Sequence, residues 1–102
     1  MVDILLHPSA IIDIRLSHDW YLKENRIASD RFATAIIRTI NSLEKFPYSS
    51  PICFANIRRI VVHSFPYNIY YQFENDRIII LAISHSHRDP IYLKDSIELR
   101  NS

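Results

Sequence analysis

Glycine occurs nowhere in these 102 residues. Loops that cradle phosphates need backbone without a Cβ, so P-loops and dinucleotide fingerprints are excluded and nucleotide-dependent chemistry is a poor fit. Cysteine is almost as scarce. The single Cys53 cannot close an internal disulfide; it reads as an inert thiol in a loop rather than a nucleophile, and the cytoplasm is the default compartment. Long apolar runs are also missing. No stretch approaches the roughly 20 residues that span a bilayer, and MVDILLHPSA has no basic region like that of a signal peptide, so no membrane partner is expected. Excess charge is absent too: a net charge of +1 gives no chain-wide grip on nucleic acid.

What remains is the balance of an ordinary globular protein, 48% hydrophobic and 23% charged. The length fits one domain over residues 1–102. Charge is distributed unevenly. Between Lys45 and Arg88 there are five bases (Lys45, Arg58, Arg59, Arg77, Arg88) against two acids (Glu74, Asp76), which makes this the segment suited to a polyanion.

Val2–Leu6 reads as a short strand. Pro8 suits a first helical position, and Ala10, Ile14, Ser17 and Tyr21 then share one face of a helix running to about Asn25. From Ala28 to Leu43 a second apolar stripe (Phe32, Ala35, Ile36, Thr39, Ile40) predicts a helix that stops before Pro47. The close connection makes the pair an antiparallel hairpin. Residues 45–56 read as a long loop.

A three-stranded antiparallel meander follows in IRRIVVHSF, YNIYYQFE and RIIILAISH. Asn75-Asp76 is its glycine-free two-residue turn, since Asn and Asp best tolerate positive φ. That turn predicts Glu74 opposite Arg77, Gln72 opposite Ile79, Tyr70 opposite Leu81 and Asn68 opposite Ile83. The unbroken run Ile78–Ile83 suggests a central strand covered on both faces. With that register, His85 and His87 would rim a polar sheet face carrying Asn68, Tyr70 and Gln72 and free of helices. The expected fold is α+β, with the helices on the other face of the sheet.

SHSHRDP, residues 84–90, is the one cluster that suggests chemistry. A metal site is disfavoured, because His85, His87 and His63 have no cysteine or carboxylate partners at ligand spacing. An acid–base cluster is possible in principle: histidine titrates near neutrality, Arg88 suits a phosphorane charge, and Tyr92 could donate a proton or stack on a base. A solvated strand end, with Arg88 paired to Asp89 and Pro90 ending the ladder, explains the spacing at least as well. Arg58 and Arg59 could bind phosphate or merely solvate an edge strand.

The order of elements adds a resemblance. A10xxDI14, W20Y21, F32 with its stripe to P47, I57RR59, F65PYNIYY71 and I80LAISHSHRDP90 with Tyr92 together resemble the RelE/ParE superfamily of type II toxin–antitoxin toxins. The resemblance implies a growth inhibitor without a cofactor, neutralised by a cognate antitoxin. The targets it implies are either ribosome-bound messenger RNA, cut by a metal-independent endoribonuclease, or DNA gyrase. Arg88 matches the family arginine past the last strand, Arg58 or Arg59 the basic position on the second strand, and Tyr92, more loosely, the terminal tyrosine. Asn68 stands where nuclease members often carry arginine, and it supplies no positive charge. The expected catalytic set is therefore His85, His87, Arg88 and Tyr92, with Arg58, Arg59, Asn68 and His63 binding nucleic acid. On this reading RNA cleavage is preferred, gyrase inhibition is the alternative, and a non-catalytic binding module is a third possibility. Trp20, Phe46, Tyr48 and Phe54 are the expected anchors for the antitoxin.

Overall fold

The structure, a computed structural model, describes residues 2–87 and 90–101, the latter without the side chains of residues 90–92 and 101. In chain order the elements are β1 (Asp3–Leu6), α1 (Pro8–Glu24), α2 (Arg26–Lys45), β2 (Ile52–Phe54), β3 (Ile57–Val61), β4 (Tyr67–Glu74), β5 (Arg77–His85) and α3 (Pro90–Asn101). The fold is α+β, as the sequence pattern predicts. Its five-stranded sheet has the order β1-β5-β4-β3-β2, antiparallel except where β1 runs parallel to β5.

One residue joins the helices of the hairpin. The Asn25 backbone N–H closes α1 on the Tyr21 carbonyl at 3.1 Å, and its side chain caps α2 by accepting from the Ala28 N–H at 2.7 Å. Asparagine is among the best caps, so a single residue can terminate one helix and begin the next. The inward stripe of the hairpin (Ala10, Phe32, Ile36, Leu43) packs on Ile69, Tyr71, Ile78 and Ile80 of the sheet. Each large side chain buried this way stabilises the fold by about 1.5–3 kcal/mol.

Two features depart from the sequence reading. The loop over residues 45–56 contains the short strand β2, and a third helix, α3, lies on the sheet face expected to be bare. Leu93 and Ile97 of α3 pack on Ile57, Tyr70, Leu81 and Ala82. The run Ile78–Ile83 is thus covered on both faces, which is why it does not alternate.

The strand register departs once. Glu74↔Arg77 and Gln72↔Ile79 are as predicted, but a bulge follows, and Tyr70 opposes Ala82 while Asn68 opposes Ser84. Leu81 and Ala82 consequently both face α3, whereas Ile83 turns to the hairpin face. A bulge inserts one residue and inverts the facing of everything beyond it. His85 therefore lies opposite Tyr67 in the ladder.

In the absence of glycine, four residues among those described take positive φ: Ala55 (47°), Ser64 (70°), Asn75 (53°) and Asp76 (57°). The Asn75-Asp76 pair matches the predicted tight turn. Ala55 and Ser64 have no such excuse and carry strain.

Candidate functional site

The bulge in β5 is held from outside the ladder. β1 accompanies β5 only as far as Ile80, whose carbonyl accepts from the His7 N–H at 2.9 Å. Past that point the carboxylate of Asp13, on α1, accepts from the Ile83 N–H at 3.1 Å. Arg100, on α3, donates to the Leu81 carbonyl at 3.1 Å and grips Asp13 with both nitrogens at 2.7 and 3.3 Å. The two side chains are only 20% and 16% exposed. Helices from opposite faces of the sheet thus meet at the one place where β5 leaves its register, and they set how the strand end is presented.

That strand end borders a concavity of about 220 Å³ lined by Cys53, Phe54, Arg59, Asn68, Tyr70, His85, Ser86 and Leu93. The His85 ring stands edge-on to Tyr67 with centroids 5.3 Å apart, and 5.2 Å from the exposed His87 ring. Its Nδ1 accepts the His87 backbone N–H at 3.1 Å. With Nδ1 accepting, the proton of the neutral ring resides on Nε2, leaving His85 a single outward donor. The Ser84 hydroxyl is buried on this strand without a hydrogen-bond partner among the described residues.

The expected site residues separate into groups. His85, Asn68 and Arg59 share the concavity, and His87 adjoins it through the His85 ring. Arg58 does not join them. Its guanidinium donates to the Ser50 carbonyl at 2.7 Å and the Tyr48 carbonyl at 3.4 Å, and it lies 5.1 Å from the centroid of the Tyr48 ring. That makes Arg58 a staple for the 46–51 loop, which is further held by the Tyr71 hydroxyl donating to the Pro47 carbonyl at 2.9 Å. His63 lines a separate groove against α2. Arg88 and the side chain of Tyr92 lie outside the described residues.

Cys53, Phe54 and Leu93 border the concavity without having been expected there. Burial pushes the Cys53 thiol above its ordinary range, a shift the nearby Arg59 charge partly opposes, and the sulfur sits 3.4 Å from the Ile57 carbonyl. Leu93 was legible in principle: Leu93, Ile97 and Arg100 recur at helical spacing. Among the described residues no group of three or more His, Cys, Asp or Glu could hold a metal ion, and no helix is long and apolar enough to cross a membrane. Trp20, Phe46 and Tyr48 are exposed, while Phe54 is half-buried beside the concavity.

The fold built on the helical hairpin and sheet is one that known proteins share. The chain belongs to the ParE toxin family of type II toxin–antitoxin systems (parDE), whose profile matches residues 4–90. Membership implies an antitoxin partner. Comparison with curated proteins finds no match. Among solved structures, a chain of the chromosomal ParDE system of P. aeruginosa aligns with a TM-score of 0.69 at 16% identity, covering 83% of this chain and 96% of that one. The isolated E. coli RelE toxin aligns with a TM-score of 0.53 at 10% identity, covering 97% and 99%. At these identities the likeness is one of fold.

Proposed function

We propose that this protein arrests growth in the cytoplasm by inhibiting DNA gyrase without cleaving RNA, and that its antitoxin relieves the arrest. The observation that carries this reading is the ParE family match over residues 4–90. The concavity at the end of β5 supports it. Two apolar side chains, Phe54 and Leu93, border it, and among its lining residues Arg59 is the one permanent cation. Arg58, which a phosphate-binding reading needs free, is engaged by the 46–51 loop. Such a surface suits contact with a protein better than grip on a polyanion.

Ribosome-dependent RNA cleavage is the second reading. His85 beside Arg59 and Asn68 favours it, because the outward Nε2–H of His85 can donate to a phosphate oxygen alongside the Arg59 charge.

The test pairs two assays on the purified protein, gyrase supercoiling and primer extension on ribosome-bound message. Loss of supercoiling with intact message is expected. Cleaved message with unimpaired gyrase overturns the proposal in favour of the second reading.

A further inference from the structure

Helix α1 is apolar on two sides. Ala10, Ile14 and Tyr21 point inward and belong to the core shared with the sheet. Ile12, Leu16 and Trp20 recur every fourth residue on another side and stay 53%, 64% and 56% exposed. A helix face turned to water ordinarily carries polar and charged side chains, so an apolar stripe about 12 Å long calls for a partner. Trp20 is held in place, its ring edge-on to Tyr21 with centroids 5.0 Å apart.

One flank of the stripe carries Arg15 and Asp19, a single turn apart and both exposed. Among the described residues Arg15 makes no ion pair, and Asp19 has only the His18 ring, 3.8 Å away. Opposite charges placed before and after Leu16 on the same flank make the stripe complementary to itself. When two such helices lie antiparallel about a two-fold axis at Leu16, the leucines meet and Ile12 fits against the larger Trp20 of the second copy. Each Arg15 then comes within a turn of the other copy's Asp19, so the attraction is made twice. A lipid surface suits the stripe poorly, because its flank has no excess of basic residues.

We infer that the stripe of Ile12, Leu16 and Trp20 is a homodimer interface, covered by the same stripe of a second copy of this chain. The contact is small, about 1,000 Å² in total with its flanking side chains, which is the lower bound for a specific dimer and corresponds to association at micromolar concentration. The concavity at the end of β5 is bordered by Leu93 of α3, on the face of the sheet away from α1. Dimerisation through α1 therefore leaves that concavity open in both copies.

The experiment is sedimentation equilibrium of the purified protein over a range of concentrations, read beside intrinsic fluorescence, since Trp20 is the chain's one tryptophan. Between about 1 and 100 µM the wild type is expected to pass from monomer to dimer with a blue shift of the Trp20 emission. Leu16→Glu is expected to weaken association by about 100-fold, with an unchanged melting temperature as the folding control. Arg15→Asp sets like charges across the interface and is expected to weaken association by about tenfold. The double exchange Arg15→Asp/Asp19→Arg is expected to restore it, which a merely structural role for either residue would not predict. A wild type that stays monomeric throughout overturns the proposal, as does a dimer indifferent to Leu16→Glu or a double exchange that restores nothing. If the wild type alone is monomeric and Leu16→Glu weakens binding of the antitoxin, the stripe belongs to the antitoxin and the homodimer is overturned.

Discussion

Asp13 and Arg100, eighty-seven positions apart, form a two-point ion pair that also satisfies the backbone of β5 on either side of its bulge. The pair joins α1, α3 and the central strand at one point. Its value lies less in attraction between charges than in what its loss would leave behind: an unpaired arginine and an unpaired strand amide, both largely withdrawn from water.

Asp13→Ala should therefore destabilise the fold by about 2–4 kcal/mol, and Asp13→Asn by less, since an amide oxygen still accepts from Ile83. Urea midpoints with an unchanged m-value measure the difference. In a double-mutant cycle with Arg100→Ala, a coupling energy of about 1–3 kcal/mol is expected. Simple additivity would show that the pair does not act as a unit.

The hairpin, the second-strand arginines and the Asn75-Asp76 turn were all legible in the sequence, because helical spacing, alternation and turn chemistry are local signals. The bulge was not. Leu81 and Ala82 are equally apolar whichever face they take, so only the distant Asp13 and Arg100 fix where the register slips. The sequence reading put His85 beside Asn68 and Tyr70, and it does line one concavity with them, but counting through an unbroken ladder missed the extra residue that sets it opposite Tyr67. It offered Arg58 and Arg59 alike for binding nucleic acid. Strand alternation in fact sends Arg58 to the opposite face, where the 46–51 loop folds over it.

That separation of adjacent arginines is itself testable. Arg58→Ala should cost about 1–2 kcal/mol and raise hydrogen exchange in the 46–51 loop, because two charge-assisted bonds to carbonyls are lost. Arg59→Ala should leave stability within about 0.5 kcal/mol while weakening engagement of the target. Equal effects of the two substitutions on stability would contradict the division of roles.

Relief of backbone strain should work in the other direction. Ser64→Gly and Ala55→Gly should each raise stability by about 0.5–1 kcal/mol, the left-handed penalty less the extra freedom glycine adds to the unfolded chain. Thermal melts of each single variant check this, and lower melting temperatures would count against strain at these positions.

The two sulfur and hydroxyl oddities near the site make a fourth prediction. With its thiol held above the ordinary range by burial, Cys53 should alkylate more slowly near neutral pH than a free thiol, with the rate rising as pH climbs. Arg59→Ala removes the opposing positive charge, so it should slow alkylation further; a faster reaction would contradict that electrostatic role. Ser84→Ala, which deletes a hydroxyl with no partner among the described residues, should be neutral or mildly stabilising in the same melts.

The parallel pairing of Asp3 with Arg77 imposes an order on the life of the chain. A helical hairpin with a one-residue joint can assemble as soon as it leaves the ribosome, since its contacts are close in sequence. β1 has no such option. It is made before the hairpin, yet the strand it pairs with among the described residues, β5, is made after β4. The sheet stays open through most of synthesis, and its closure comes only once β5 and then α3 have been added. This chain thus completes its sheet surface only after the hairpin and β4 have formed. An antitoxin already present in the cell would meet that surface at the moment it forms.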